Sequence, residues 1–144
     1  MEFEKYNGWT LVRHPLFSSQ IEALEHKIAS SRNAAKSEKI LAMVKRLIRE
    51  DIPANPASAN FRQGLTLGDE NRHWRRAVFF QQYRLFFRYD SRMKVIIYVW
   101  MNDEDTLRAY ESKNDAYRVF QKMLDSGYPP GDFEELLKQS GFQN

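Results

Sequence analysis

One stretch of the chain combines arginines and aromatic residues at a spacing that suits contact with a phosphate backbone. Residues 72–94 hold seven Lys/Arg and one acidic residue, Asp90, for a formal charge of +6, whereas the whole chain carries only +3. In a β-strand, Arg84, Phe86 and Arg88 would share one face, with the two arginines roughly 13 Å apart. Arginine's forked head suits bidentate phosphate recognition. Cations can hold successive phosphates, and an aromatic ring between them can stack on a base. This combination suits single-stranded RNA.

Residues of the same types occur on both sides of this predicted strand. The whole constellation consists of Arg75, Arg76, Arg84, Phe86, Arg88, Arg108, Tyr110 and Tyr117. His73, beside Trp74 at the start of the basic region, is the one histidine placed to join it. The alternative interpretation is a strand whose exposed face happens to be basic, with Phe86 packing under a helical hairpin.

Several other chemistries are excluded or disfavoured. The chain has no cysteine, so disulfides, thiolate zinc sites and cysteine nucleophiles are absent. His14, His26 and His73 are far apart and have no carboxylate at ligand spacing, so we expect no metal site. The common nucleotide-binding and metalloprotease motifs do not occur. Acidic residues at 103–105 suit the first turn of a helix. We therefore expect neither a metal nor a cofactor.

Hydrophobic periodicity predicts the elements that precede the basic stretch. Trp9–Arg13 is a predicted strand that ends at His14-Pro15. Two amphipathic helices follow, and the short connection between them predicts a hairpin. Their apolar positions are 17, 21, 24 and 28 in the first helix, and 40, 41, 44, 47 and 48 in the second. Ser19 and Glu22 have the spacing of a capping box. Residues 53–73 form a long irregular loop, with three candidate anchors: Phe61, Leu65 and Leu67.

Three strands are predicted next, at about 74–80, 83–89 and 94–101. The last of them is apolar on both faces and should be the most buried. Asn102 or Asp103 can cap a helix that runs through Tyr110, and a further helix starts at 114 or 115 and ends at Gly127. A final amphipathic helix is predicted over 132–139. The fold class is therefore α+β.

Length and composition indicate one globular domain covering residues 1–144. The chain is 42% hydrophobic and 28% charged, which argues against disorder. The longest apolar run, Val95 to Met101, is too short to span a bilayer. The sequence opens Met1-Glu2-Phe3-Glu4, which lacks the layout of a secretory signal. We expect a soluble, cytoplasmic protein without membrane contact.

The order of elements and several short motifs resemble the RelE superfamily of toxin ribonucleases. The run Tyr83 to Tyr89 matches the central strand, and Phe61 to Leu65 before Trp74-Arg75-Arg76 matches the loop that precedes the sheet. Within this superfamily the chain resembles the YhaV toxins over nearly its whole length. The motifs that carry this narrower resemblance are Asn7-Gly8-Trp9, Trp100-Met101-Asn102-Asp103-Glu104, Thr106-Leu107-Arg108, Asp115-Ala116-Tyr117 and Pro129-Pro130.

The resemblance implies a fold, an activity and partners. The implied fold is RelE-like, with an N-terminal strand and a helical hairpin packed on a mainly antiparallel sheet, followed by C-terminal helices. The implied activity is that of the toxin of a type II toxin–antitoxin system, which cleaves mRNA on translating ribosomes. The implied partners are a PrlF-type antitoxin, mRNA and the ribosome, with operator DNA bound only by the toxin–antitoxin complex.

The resemblance also suggests roles for individual residues. Arg84 matches the central-strand arginine that contacts the scissile phosphate, and a basic residue on the preceding strand matches Arg75 or Arg76. The superfamily's late tyrosine matches Tyr110, with Tyr117 as the rival. This chain departs from the pattern in two places. A second lysine of that strand is missing near Ala77 or Val78. Glu104 lies where a late arginine is expected, and Arg108, one helical turn away, is the candidate substitute.

The resulting hypothesis is a ribonuclease without a metal, in which the RNA's own 2′-hydroxyl attacks the neighbouring phosphorus. Arg84 and Arg75 or Arg76 would stabilise the transition state, while Arg88, Phe86, His73 and Tyr117 would bind RNA. No histidine–carboxylate pair suggests itself as acid and base. The candidates are His73, Tyr110 and Glu104.

The rival is a non-catalytic module that binds RNA or an acidic antitoxin through the same basic face. Both hypotheses assume that Arg84 and Arg88 are exposed on that face. On this assumption an antitoxin would cover the face, and truncating Arg84 would change stability by no more than about 0.5 kcal/mol.

Overall fold

The computed structural model describes residues 3–64, 66–102 and 115–142. Five strands form one mixed sheet, and they are β1 (Glu4–Tyr6), β2 (Trp9–Arg13), β3 (Arg75–Phe79), β4 (Tyr83–Asp90) and β5 (Val95–Met101). Their order in the sheet is β1-β2-β5-β4-β3. Strand β5 lies at the centre, parallel to β2 and antiparallel to β4, and the other neighbours are antiparallel. All seven residues of β5 are buried, as its continuous apolar sequence predicts.

Helices cover both faces of this sheet. They are α1 (Pro15–Ser30), α2 (Ala35–Arg46), the single turn α3 (Ile52–Ala54), α4 (Asp115–Ser126) and α5 (Phe133–Gln139). Apolar residues of α1 and α2 share one core cluster with Tyr83, Leu85 and Phe87 of β4. Residues of α4 and α5 share a second cluster with Phe86 and with β5 residues on the opposite face. The chain therefore folds as helices, sheet and helices in three layers.

A β-bulge interrupts the pairing of β4 with β5. Phe86 pairs with Trp100 and Phe87 pairs with Tyr98, so Val99 has no opposite residue. Val99 and Trp100 consequently belong to the same core cluster, on the side of α4 and α5. The extra residue lets two adjacent apolar side chains face the C-terminal helices.

The predicted fold class and most elements are confirmed. The α+β architecture and the mainly antiparallel sheet agree with the RelE-like expectation. Helix α2 continues through a π-helical turn, Leu47–Asp51, which accounts for the long apolar stripe. Tyr98 of β5 donates a hydrogen bond of 2.8 Å to the carbonyl of Ile48 in this turn. Burial raises the pKa of that tyrosine well above its ordinary value.

Two N-terminal details differ from the sequence prediction. Strand β1 was not predicted, because its three residues are mostly polar; Asn7 and Gly8, both at positive φ, form the turn that leads into β2. The capping box at Ser19 and Glu22 is wrong, since α1 begins at Pro15 with His14 as its N-cap. The ring nitrogen Nδ1 of His14 accepts a hydrogen bond from the backbone N–H of Leu16, at 3.2 Å.

The long loop before β3 is anchored much as predicted. Leu67 is fully buried, and Phe61 packs edge-on against Phe87 with the ring centroids 5.5 Å apart. Leu65, the third predicted anchor, lies outside the described residues, as does the helix predicted to run through Tyr110. Among the described residues, no helix combines the length and the apolar character needed to cross a membrane.

Candidate active site

The register of β3 against β4 separates Arg75 from Arg76. Arg76 pairs with Phe86, whereas Arg75 pairs with Phe87. Directly paired residues lie on the same face of a sheet. Phe86 belongs to the core cluster on the side of α4, and Phe87 to the cluster on the side of α1 and α2. Arg76 is therefore the arginine of β3 that shares a face with Arg84.

Arg76 and Arg84 converge on one phenol, that of Tyr117 in α4. The Nε of Arg76 donates a hydrogen bond of 3.0 Å to the Tyr117 hydroxyl. The guanidinium carbon of Arg84 lies 5.8 Å from the centroid of the same ring. Phe86 supports the ring from below, edge-on at 5.7 Å. Two cations from neighbouring strands thus meet a tyrosine contributed by a distant helix.

Arg84 is held by residues just before β4 and just after β5. Only 9% of Arg84 is exposed, and its Nη1 donates a 2.9 Å hydrogen bond to the carbonyl of Gln81. Its backbone N–H donates to Oδ1 of the buried Asn102, at 2.6 Å. The Nε of Arg84 is buried and has no hydrogen-bond partner among the described residues. A buried, charged donor without a partner is a group that an anionic ligand can satisfy.

The long loop supplies the second contact of Arg76. Its Nη1 donates to the carbonyl of Asn60, at 2.7 Å. The loop is shaped by Gln63, which is 5% exposed and donates a hydrogen bond of 2.9 Å to the carbonyl of Asn71. The Oε1 of Gln63 also accepts hydrogen bonds from the Thr66 hydroxyl and the backbone N–H of Leu67. This buried amide closes the loop on itself, and the Asn60 carbonyl lies in the turn just before it, where the Asn60 N–H donates to Oγ of Ser58.

The cluster formed by Arg76, Arg84 and Tyr117 is strongly electropositive. Within the described part of the chain, neither guanidinium forms an ion pair with a carboxylate. The described residues also contain no group of three or more histidine, aspartate or glutamate side chains placed to hold a metal ion. Because the Tyr117 oxygen accepts from Arg76, its own hydrogen is left for another acceptor. The arrangement can bind an anion and donate a proton to it.

The open basic face predicted from the sequence is wrong. Phe86 is fully buried, stacked on Phe120 of α4 with a centroid distance of 4.4 Å. No nucleobase has access to that ring, because α4 occupies its outer side. Arg84 is buried for the same reason. Phe86 packs under α4, and not under the helical hairpin of the alternative interpretation.

Arg88 is engaged in packing and is only partly exposed. Its guanidinium carbon lies 5.5 Å from the Trp74 ring and 5.5 Å from the Phe133 ring, and Nη1 donates to the Gly131 carbonyl. Burial lowers the pKa of Arg88, an effect that the charge of Asp132 opposes. These contacts tie β4 to the start of α5, so the predicted exposure of Arg88 is corrected too.

The remaining predicted residues fall into three groups. His73 is exposed on the loop before β3, and no hydrogen bond in the described structure connects it with Arg76 or Tyr117. Arg108, Tyr110 and Glu104 lie outside the described residues. Arg75 faces the other side of the sheet, where its guanidinium carbon is 5.6 Å from the Tyr89 ring.

Sequence reasoning missed the polar groups that hold the arginines. The sequence predicts Asn102 or Asp103 as a helix cap, and that helix lies outside the described residues. Asn102 itself is 1% exposed and joins the end of β5 to the start of β4, a role that the sequence does not predict. Its Nδ2 donates to the carbonyl of Gln82, at 2.8 Å. A polar side chain directly after a fully apolar strand was the available signal. Gln63 had no comparable signal, because its burial depends on how the loop folds.

The chain is similar to known toxins over nearly its whole length. A family model described as a toxin with endonuclease activity, of a toxin–antitoxin system, the YhaV toxin family, matches residues 11–141. Toxin YhaV of Escherichia coli O6:H1 is 45% identical over 150 residues, with 97% of each chain covered. Ribonuclease toxin YhaV of Escherichia coli K12 is 44% identical with the same coverage. No solved structure matches.

Proposed function

Because the chain belongs to the YhaV family of endonuclease toxins of toxin–antitoxin systems, we propose that it is a type II toxin that cleaves mRNA in the cytoplasm on translating ribosomes. The observation that supports the site is the convergence of Arg76 and Arg84 on Tyr117. Two cations can stabilise the charge of a phosphoryl-transfer transition state, and a phenol can donate a proton to the leaving oxygen. No cofactor enters the proposal.

The proposed reaction uses the RNA's own 2′-hydroxyl as nucleophile. The 2′-oxygen forms a bond to the neighbouring phosphorus while the bond from phosphorus to the 5′-oxygen breaks. The 2′-proton passes to a base, and the leaving 5′-oxygen takes a proton from an acid. The products are an RNA ending in a 2′,3′-cyclic phosphate and a second RNA that begins with a 5′-hydroxyl.

Arg76 and Arg84 stabilise the charge that develops on the phosphoryl oxygens. Arg84 is 9% exposed, so its charge is screened less by water than a surface charge would be. Its hydrogen bond to Gln81 and the bonds of Arg76 to Asn60 and Tyr117 fix both groups before substrate arrives. Such preorganised donors need no reorganisation during the reaction, which is why each contributes strongly to the rate.

Tyr117 is the proposed proton donor, since its hydroxyl accepts from Arg76 and keeps its own hydrogen for the substrate. Tyr110, the rival tyrosine, remains a candidate for the base, together with Glu104 and His73. The described site contains no histidine–carboxylate pair. Alignment of the RNA by a scaffold such as the ribosome contributes several kcal/mol by itself. This supports action on the ribosome.

The proposed inhibitor is a PrlF-type antitoxin that acts at this same cluster. Because Arg84 and Phe86 are already covered by α4, simple covering of an open face does not describe the inhibition. An antitoxin segment with acidic side chains would compete for Arg76 at the rim or draw Tyr117 away from it. Association driven by such charges is salt-sensitive. Operator DNA is proposed as a ligand of the toxin–antitoxin complex only.

The test maps the ends of RNA that the purified chain cleaves, with and without translating ribosomes. We expect 2′,3′-cyclic phosphate and 5′-hydroxyl ends, and no cleavage where the attacking 2′-hydroxyl is replaced by hydrogen. The Arg84→Ala variant is the inactive control. RNA that is bound but never cut would instead support the non-catalytic module. Cleavage that persists at a 2′-deoxy position would refute the proposed mechanism.

A further inference from the structure

The three-residue turn between β3 and β4 exposes a large aromatic ring. Phe80 is 46% exposed, and its backbone has a φ of +48°, followed by Gln81 at +64°. Left-handed backbone costs a residue other than glycine about 1–2 kcal/mol. The Phe80 ring touches the buried Phe79, with the ring centroids 5.7 Å apart, and further contacts hold the turn in place.

Those contacts come from the candidate active site. The Gln81 carbonyl accepts the hydrogen bond from Nη1 of Arg84, and the Gln82 carbonyl accepts one from Nδ2 of Asn102. Within the turn, the Gln82 N–H donates to the Phe80 carbonyl at 2.7 Å. The position of the Phe80 ring is therefore coupled to the guanidinium that we place at the scissile phosphate.

On the other side of the turn lies a recess of about 340 Å³ between the β3–β4 hairpin and α2. Its lining consists of Lys36, Lys39, Ile40, Phe80, Gln82 and Tyr83. None of these residues is acidic, and two are lysines. The volume is at the lower end of the range for small-molecule sites in proteins. A recess with an aromatic wall and a cationic rim suits one nucleotide of a single strand.

We propose that this recess, here called the Phe80 subsite, binds a nucleotide of the RNA strand adjacent to the cleaved bond. The proposal rests on the proposed function, since it extends the path of the substrate beyond Arg84 and around the end of the hairpin. Phe80 stacks on the base, and Lys39, with Lys36 beside it, neutralises the phosphate. An exposed ring beside cations and a phosphate site favours RNA over an acidic peptide, because RNA bases stack on aromatic rings and carboxylate side chains do not.

The Phe80 subsite supplies the stacking ring that the sequence predicts at Phe86. Phe86 is buried beneath α4, whereas Phe80 is the exposed aromatic tied to the arginine cluster. Stacking on a single ring tolerates every base, so the subsite contributes affinity and positioning with little sequence preference.

The test measures binding of a short fluorescein-labelled single-stranded RNA in which every 2′-hydroxyl is methylated, so that the full-length protein binds but cannot cleave it. We expect Phe80→Leu to weaken binding about 5- to 150-fold, the range of one base–aromatic stack, and Phe80→Trp to preserve it. The added tryptophan should show emission that RNA quenches, a signal that a purely structural role would not produce. Tyr128→Leu, at another ring that is 46% exposed, is the matched control and should bind like the parent.

The lysine arm uses Lys39→Gln, with Lys45→Gln as its control on the same helix. Both lysines are exposed, but Lys45 does not line the recess. Loss of one phosphate contact should reduce the slope of log binding constant against log salt concentration by about 0.7 in the Lys39 variant, and by clearly less in the control.

Three results would overturn the inference in distinguishable ways. Parental binding by Phe80→Leu, with unquenched emission from Phe80→Trp, removes the Phe80 subsite and leaves the proposed function intact. Unchanged RNA binding together with weaker binding of the antitoxin assigns the recess to that partner. A parent protein that binds no RNA, on or off the ribosome, removes both proposals.

Discussion

Arg75 and Arg76 carry the same charge on adjacent positions of β3, yet they face opposite sides of the sheet. This makes them a matched pair for testing the site. Each substitution by alanine removes one positive charge from the same strand, so the long-range attraction for RNA falls equally in both. Only Arg76→Ala removes a donor from the cluster around Tyr117. Any difference in cleavage between the two variants therefore measures position and not charge.

The expected magnitudes follow from the contacts of each side chain. Removing a preorganised donor to the transition state costs about 100- to 1000-fold in rate, which we expect for Arg76→Ala. For Arg75→Ala we expect no significant loss of rate. Arg76→Ala should also lose about 1–2 kcal/mol of stability, because its bonds to Tyr117 and to the exposed Asn60 disappear. Arg75→Ala loses its contact with the Tyr89 ring, worth about 0.5–1 kcal/mol.

The assay combines a thermal melt with single-turnover cleavage at a temperature where both variants are folded. A change of 1 kcal/mol corresponds to about 4 °C in a chain of this size, so the difference in stability is measurable. Rates are compared at equal folded fraction, which separates chemistry from unfolding. Equal losses of cleavage in the two variants would show that strand register does not decide which arginine acts. A larger loss for Arg75→Ala would place the active site on the opposite face.

Three further predictions concern Arg84, Tyr117 and His14. Arg84→Ala should lose at least about 100-fold in the single-turnover cleavage rate. Because the guanidinium is buried and hydrogen-bonded, the variant should also lose about 1–3 kcal/mol in free energy of unfolding, measured in urea. Arg84→Lys should restore only part of the rate, and a parental rate in either variant argues against a role of Arg84 in the chemistry. Tyr117→Phe should slow cleavage and lower the melting temperature by about 4 °C, because the ring keeps its packing but Nε of Arg76 loses its acceptor, a cost of about 1 kcal/mol; an unchanged rate would exclude the hydroxyl. Burial lowers the pKa of His14 below its ordinary value, and the hydrogen bond to Gln139 opposes this shift. The unfolded chain therefore binds this proton more readily, so the stability contributed by neutral His14 is complete above about pH 6.5 and is lost as the pH falls through the folded-state pKa. Urea unfolding of the parent and of His14→Asn, which keeps a cap acceptor but does not titrate, should show the extra acid loss in the parent alone; parallel curves would contradict it.

The structure changes what Arg84 was expected to do for stability. Alternation along the strand puts the Arg84 side chain on the opposite face of the sheet from Leu85. From this the sequence predicts an exposed Arg84 side chain and a negligible change in protein stability when it is truncated. The alternation is correct, since Leu85 lies in the core cluster with α1 and α2. The exposure is wrong, because Tyr117 and Phe120 of α4 cover the other face. Arg84 thus combines a structural contact with its proposed chemical role.

Periodicity identified the secondary structure because it is a local property of the chain. The apolar run from Val95 to Met101 was sufficient to predict the central strand, and the stripes on α1 and α2 predicted the hairpin. The concentration of arginine between residues 72 and 94 likewise needs no structure to be seen. The sequence alone determined the strand, the helices and the basic segment, because each depends only on residues that are close to one another along the chain.

Tertiary packing decided which of the predicted residues form a site. Alternation along β4 states that Arg84 and Phe86 share a face, but it does not state what packs there. Helix α4 buries Phe86 and brings Tyr117 to the arginines, across 41 positions in sequence from Arg76. The choice between Arg75 and Arg76 depends on pairing with another strand, and the hold on Arg84 depends on Asn102. Contacts between residues distant in sequence are set by the packing of whole elements, which no local pattern encodes.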